Sequence, residues 1–282
     1  MEGSPDGRTD VVNPPETPAR AATQDLTTPV DPSVDPAPAR DLDGPTGEVA
    51  ADVLPLAALT TAGIIEVYDE LLRPSFRPEE LLSIGEVLRV YAGADPAPSG
   101  VVLRDGHPLG IHLCERFVGG EVLLLSYLAV SSQARGGGIG SVLLDDVSRS
   151  RVESGPGAVV LAEVDDPRVW PATPSTGDPV ARLRFYGRRG ARLLPMSFTQ
   201  PQLQPGVGRV PGMFLIRLDQ QGDPAPDLLT RFVTEYYTEC EGPEALDDPT
   251  LRTMLAAAGQ IDLDRDLLPM TDWERLPQVV VR

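Results

Sequence analysis

The sequence contains no lysine; all 24 of its basic residues are arginine. Any chemistry that needs a lysine, such as a Schiff base or a phosphate-cradling P-loop, is therefore excluded. Cysteine is almost as scarce. Cys114 and Cys240 are the only two. A pair cannot make a disulfide framework, and neither stands in a CxxC motif, so both read as spare buried thiols and no metal is expected. Long apolar runs are missing too. Val122–Leu125 is typical of what there is, far short of the roughly 20 residues that cross a bilayer. Met1 to Asp10 is polar, without the apolar stretch of a signal peptide, so a cytoplasmic location and no membrane partner are expected. Positive charge is in deficit: the formal net charge is −18. That argues against a nucleic-acid partner and is compatible with a cationic acceptor. The missing lysine fits a GC-rich coding bias and so a bacterial source.

Apolar residues make up 41% of the 282, enough for a sizeable core in one large domain with appendages or in two small ones. Residues 1–49 have no apolar periodicity and carry stretches such as Asn13-Pro14-Pro15 and Val34-Asp35-Pro36-Ala37-Pro38. They read as a disordered acidic tail that cannot bury enough surface to offset its ordering entropy. From residue 50 the pattern changes. Val53–Leu56 reads as a short strand. Thr60-Thr61 cap a helix whose apolar face is Ile64, Val67, Tyr68, Leu71 and Leu72. A second helix is expected over Pro78–Tyr91, opened by proline with Glu79 and Glu80 in its first turn.

Strands follow. Gly100–Arg104 and Leu109–Val118 flank the turn Asp105-Gly106, and Glu121–Val130 is nearly all apolar, as in a strand buried on both faces. A helix is expected over Gly138–Val152, a strand over Ala158–Val164, a loop over 166–178, and a helix over Pro179–Arg189 stopped by Gly190. Arg192–Leu194 and Gly212–Leu218 read as closing strands, separated by a long Pro/Gln/Gly stretch. Asp227–Glu239 and Pro249–Ala258 read as helices of a C-terminal extension over 221–282.

The stretch that carries chemistry is Gln133-Ala134-Arg135-Gly136-Gly137-Gly138-Ile139-Gly140-Ser141, between a buried strand and a helix. Its glycines bring bare backbone up to a ligand. Successive N–H groups and the helix's first turn make an anion cradle, with Arg135 adding positive charge. A P-loop fails for want of Gly-Lys-Ser/Thr. A Rossmann GxGxxG is only partly matched, and the strands before it are hairpin-linked. A flexible glycine turn with no ligand remains the alternative.

An arginine-x-x-Gly-x-Gly loop after Leu128-Ala129-Val130 resembles the acyl-CoA site of the GNAT superfamily of N-acetyltransferases. Phe185-Tyr186-Gly187-Arg188-Arg189-Gly190 is similar to that superfamily's second signature. The resemblance covers about residues 50–220 and implies an α/β fold, a mixed, mostly antiparallel sheet flanked by helices. It implies acetyl-CoA as co-substrate and an amine acceptor, small molecule or protein. The fourth and fifth strands would splay. Main-chain groups of Leu128 and Val130, with Ala129 between, would hold the pantetheine arm, and the Leu128 amide would polarise the thioester. The backbone of Arg135, Gly136, Gly137, Gly138, Ile139, Gly140 and Ser141 would take the diphosphate. Tyr186 stands where the superfamily places its general acid.

Glu163, a carboxylate inside an apolar strand, is the candidate base, on the same face as Leu161 by alternation. Asp165 and Asp166 are lesser candidates, and Glu121 lies at the far end of the fourth strand. His107 and His112 read as structural. Trp170, Phe198 and Tyr236 read as packing residues that could also line an acceptor pocket. The expected activity is acetyl transfer to an amine by direct attack in a ternary complex. The alternative is an inactive acyl-CoA-binding regulatory module.

Overall fold

The structure is a computed structural model that describes residues 52–155 and 157–277. The tail expected over residues 1–49 lies outside them. Strand β1 (Val53–Leu54) leads to helix α1 (Thr61–Val67). As the sequence predicts, Thr60 caps this helix, its hydroxyl accepting from the N–H of Gly63. The helix continues as a π-type turn over Tyr68–Leu72.

The helix expected over Pro78–Tyr91 is two pieces. Pro78–Glu80 is a single 3₁₀ turn, and α2 spans Ile84–Tyr91, capped by the Ser83 hydroxyl. The break has a tertiary cause. The carbonyl of Leu81 accepts from the Gln204 side chain, the N–H of Leu82 donates to Tyr127 Oη, and the carbonyl of Leu82 accepts from Tyr68 Oη. These bonds take the groups a continuous helix would have paired internally.

Asp105 (φ 53°) and Gly106 (φ 83°) supply the left-handed pair that a two-residue hairpin needs. They join β2 (Ser99–Arg104) to β3 (His107–Phe117). A turn leads to β4 (Val122–Val130), antiparallel to β3, and then α3 (Ile139–Ser154) crosses over to β5 (Val159–Asp165), parallel to β4. Next come α4 (Pro179–Arg188), β6 (Arg192–Leu193), β7 (Phe198–Gln200) and β8 (Val210–Arg217). Strand β7 lies inside the stretch read as a Pro/Gln/Gly connection; three residues are too few to show a period of two. Helices α5 (Leu228–Glu241) and α6 (Pro249–Ala258) and the short β9 (Leu268–Pro269) follow. The sheet order is β1-β2-β3-β4-β5-β8-β6-β9, with β7 also on β8. It is the mixed, mostly antiparallel sheet that the resemblance implies, with β4–β5 as the one parallel pair among the described residues.

The sheet has two covered faces. Leu144 and Val147 of α3 and Leu183 and Tyr186 of α4 pack on Leu123, Leu125, Ala162 and Val164. On the other face α1 and α2 pack on Ile111, Leu113, Tyr127 and Ala129. The rest of that face is covered by α5 and α6. Leu228, Leu229, Phe232, Val233, Tyr236 and Tyr237 recur at helical spacing and share a core with Phe117, Leu124, Leu161 and Leu215. Each such side chain contributes roughly 1.5–3 kcal/mol of burial.

Candidate functional site

Strands β4 and β5 pair only from Val122↔Val159 to Leu125↔Ala162. Beyond that they part, and β5 stays with β8 through Glu163↔Leu215 and Asp165↔Met213. The parting coincides with a bulge. Cys114 opposes Leu125 but Leu113 opposes Tyr127, leaving Ser126 as an extra residue in β4. One extra residue exchanges the faces of every side chain beyond it. Tyr127 and Ala129 thereby join the α1–α2 side, while Leu128 packs on the α3–α4 side.

The same register fixes the main chain. The N–H of Ser131 donates to the carbonyl of Leu109 on β3. Antiparallel alternation then turns the main chain of Ala129 to β3 as well, and that of Leu128 and Val130 to the open gap. The gap is thus edged by unpaired backbone.

Past Val130 the glycine loop enters α3. Gly136 (φ 77°) and Gly138 (φ 81°) are left-handed, and Gly138 is the helix N-cap. The residues singled out from the sequence divide here. The N–H groups of Gly137 and Ser141 donate to the carbonyls of Ala134 and Gly138. Those of Arg135, Gly136, Gly138, Ile139 and Gly140 have no acceptor among the described residues. Five free N–H groups at a helix N-terminus could hold a diphosphate. Arg135 is exposed beside them. Gly140 admits Phe185, whose ring edge lies 3.2 Å from where a Cβ would stand, so the second signature packs on the first.

Glu163 of β5 stands on the Leu161 side of the sheet, and Tyr186 of α4 packs on the opposite side. Tyr186 is 5% exposed, among Ala162, Val164 and Leu125. Burial pushes its phenol up to about 12 against the pull of Arg182, so it keeps its proton at neutral pH. Glu163 Oε2 accepts from Gln200 Nε2 at 2.7 Å and from Tyr236 Oη at 3.2 Å. Its Oε1 is shut off from solvent without a partner among the described residues, as is Gln200 Oε1. Burial pushes the Glu163 carboxyl up to about 8, its two hydrogen bonds oppose the rise, and the negative charges of Glu80 and Glu115 add to it.

Around Glu163 lies a small cleft, partly open to solvent and lined in part by Phe76, Glu80, Tyr127, Asp165, Arg182 and Gln200. Its cations are already matched. Arg77 bonds Glu80 and reaches Asp165 at 2.8 Å, and Arg182 reaches Asp165 at 2.9 Å. The Arg77 guanidinium stacks 3.7 Å over Trp170, whose indole donates to the carbonyl of Pro211.

Asp165 is thus bound in a double ion pair, and Asp166 is held by Arg168. Glu121 pairs with Arg231 at the far end of β4. His107 is exposed. His112 is wholly buried and bonds Asp146 of α3 at 2.7 Å. Cys114 lies 3.7 Å from that ring, but complete burial pushes its thiol up and denies it access. Phe198 is core. Gln200 and Tyr236 touch the candidate base directly. Sequence reasoning gave Gln200 no role and read Tyr236 as packing; tyrosine at helical spacing gave no sign of its hydroxyl contact.

The raised carboxyl of Glu163 has a consequence for stability. Below the ordinary carboxylate pKa, ~4.3, folded and unfolded chains both hold this proton. As pH rises towards about 8 the unfolded chain loses it first, and the native state loses stability through that window. Glu163→Gln removes this term. Its melting temperature should match the parent's at pH ~4 and exceed it increasingly up to pH ~8, by an amount on the order of a few kcal/mol in unfolding free energy. Parallel stability–pH curves would show that Glu163 titrates normally.

No protein-family profile and no curated protein sequence matches the chain. Solved structures do resemble it. A candidate GNAT-family acetyltransferase from Bacteroides thetaiotaomicron is 21% identical over 62% of this chain and 89% of its own, with a TM-score of 0.46. A candidate acetyltransferase from Salmonella typhimurium, solved with its cofactor acetyl-CoA, is 14% identical over 62% and 98%, with a TM-score of 0.42. The ribosomal-protein-alanine N-acetyltransferase of Brucella melitensis is 19% identical over 56% and 95%, with a TM-score of 0.39.

Proposed function

We propose that this chain is an N-acyltransferase of the GNAT superfamily, transferring an acetyl group from acetyl-CoA to an amine by direct attack with both reactants bound. The observation that carries this reading is the gap between β4 and β5, edged by the outward main chain of Leu128 and Val130 and leading to the free N–H groups of the glycine loop. Acetyl-CoA would supply the activated acyl thioester.

The chain's own groups supply the rest. Leu128 and Val130, with Ala129 between, hold the pantetheine arm as an added strand would be held. The Leu128 N–H donates to the acyl oxygen as negative charge grows there. Arg135, Gly136, Gly138, Ile139 and Gly140 bind the diphosphate through main-chain N–H groups, and Gly137 and Ser141 hold the loop's shape. An alkyl amine, pKa ~10.4, arrives as a cation. Glu163 takes one proton from it, freeing the nitrogen lone pair to attack the acyl carbon. As the C–S bond breaks, Tyr186 protonates the departing sulfur, and the nitrogen's second proton restores the balance through water. One proton is released per turnover.

The direct test is calorimetric titration of the full chain with acetyl-CoA, followed by an amine screen read by free-thiol release. A folded chain that does not bind acetyl-CoA would overturn the reading. Tyr186→Phe should lose about 10²–10⁴-fold in kcat, the range of a lost general acid, while acetyl-CoA affinity stays within about threefold. Undiminished kcat would remove Tyr186 from the proton path.

A further inference from the structure

The acceptor end of the site is more specific than its family likeness requires. Two acceptor oxygens, Glu163 Oε1 and Gln200 Oε1, are buried in it without donors. Gln200 is 5% exposed, and its amide is oriented by donation from Nε2 to Glu163 Oε2. The amide oxygen of Gln200 cannot donate, and neither can Glu163 in the ionised form that a cation would favour, so the two call for a ligand rich in N–H groups.

The surrounding charge selects among such ligands. Glu80 and Asp165 line the cleft; Arg182, which also lines it, is spent on Asp165, and Arg77 is spent on both carboxylates. A carboxylate beside the incoming nitrogen would meet Glu163, Glu80 and Asp165 with no counter-ion left for it. Phe76 and Tyr127 give the cleft apolar walls, suited to a hydrocarbon chain.

We propose that the acceptor is an alkylammonium group with no carboxylate next to its nitrogen, seated between Glu163 Oε1 and Gln200 Oε1, and that Gln200 is a binding residue for it. The inference rests on the acyltransferase reading. The position of Gln200 is built in. Strand β7 pairs with β8 at Gln200↔Val210, and Tyr237 of α5 donates to the carbonyl of the adjacent Thr199. An alkylammonium can come from a free amine or from a lysine side chain.

The test uses the full chain with saturating acetyl-CoA and three acceptors: n-butylamine, a lysine capped at both ends, and alanine. Butylamine or the capped lysine should be acetylated with kcat/KM at least about 100-fold above alanine, and whichever is better identifies the source. Gln200→Leu should raise KM for that amine by about 10–100-fold, the range for a lost hydrogen bond to a charged group, with acetyl-CoA affinity unchanged, and should move the rise of kcat to higher pH because Glu163 loses a donor that favours its ionised form. Should that variant fail to fold, Gln200→Met, of equal length, serves. Preference for alanine, or a KM unchanged in the Gln200 variant, would overturn the proposal. Acetyl-CoA binding with neither alkylamine acetylated would sink this proposal alone. Absence of acetyl-CoA binding would remove the acyltransferase reading and this inference with it.

Discussion

Glu163→Gln is expected to lower kcat/KM for the acceptor amine by about 10²–10⁴-fold and to change the shape of the pH profile, not only its height. The parent needs Glu163 ionised and the amine still carrying the proton that Glu163 removes. Its kcat/KM should rise with pH through about 8, where burial has moved this carboxyl, and fall again through the amine's own pKa, ~10.4. The glutamine variant has no base to offer and must wait for amine that has already lost its proton to water. Its residual rate should therefore climb through ~10, where the parent's declines. A variant profile parallel to the parent's would mean that the proton leaves by another route. Tyr236 and Gln200 both hold Oε2, so the free oxygen Oε1 is the one proposed to face the amine.

The second large effect is expected at the glycine loop. Gly138→Glu should weaken acetyl-CoA binding at least about 100-fold. Two causes combine. Gly138 has φ 81°, a conformation that costs an L-residue roughly 1–2 kcal/mol. The new carboxylate would also sit at the helix N-terminus and compete with a diphosphate for the same N–H groups. Gly138→Ala separates them, since it carries the backbone strain without the charge. The charge contribution should shrink at high salt because the loop is exposed. Calorimetry at two ionic strengths, with circular dichroism as a check on folding, reads both. A folded Gly138→Glu that binds acetyl-CoA within about threefold of the parent would move the donor site off this loop.

Features carried by local chemistry were legible in the sequence. Asp105-Gly106 announced its hairpin, Thr60 its helix cap, and the glycine run its strand-to-helix turn, because each states a backbone requirement in neighbouring residues. Glu163 stood out as a carboxylate in an apolar strand. What stayed hidden depends on partners distant in the chain. Gln200 meets Glu163 across 37 residues and Tyr236 meets it across 73, and nothing local to either records the encounter. The helix predicted over Pro78–Tyr91 breaks because Tyr127 and Gln204 claim its backbone groups, an event no periodicity reports. The Ser126 bulge is equally silent, since a serine in a run of leucines could as well be an ordinary polar step.

The hydroxyl that Tyr236 lends to Glu163 bears on how such a chain can be recombined. Helix α5 shares its buried face with Phe117, Leu124 and Leu161 and supplies a donor to the candidate base. A transplant cut after residue 220 would take the proposed donor-binding loop and leave behind part of the proposed acceptor end. On that proposal, acceptor preference would be exchanged only as a cassette in which β7 and α5 travel together, because Tyr237 ties the one to the other at Thr199.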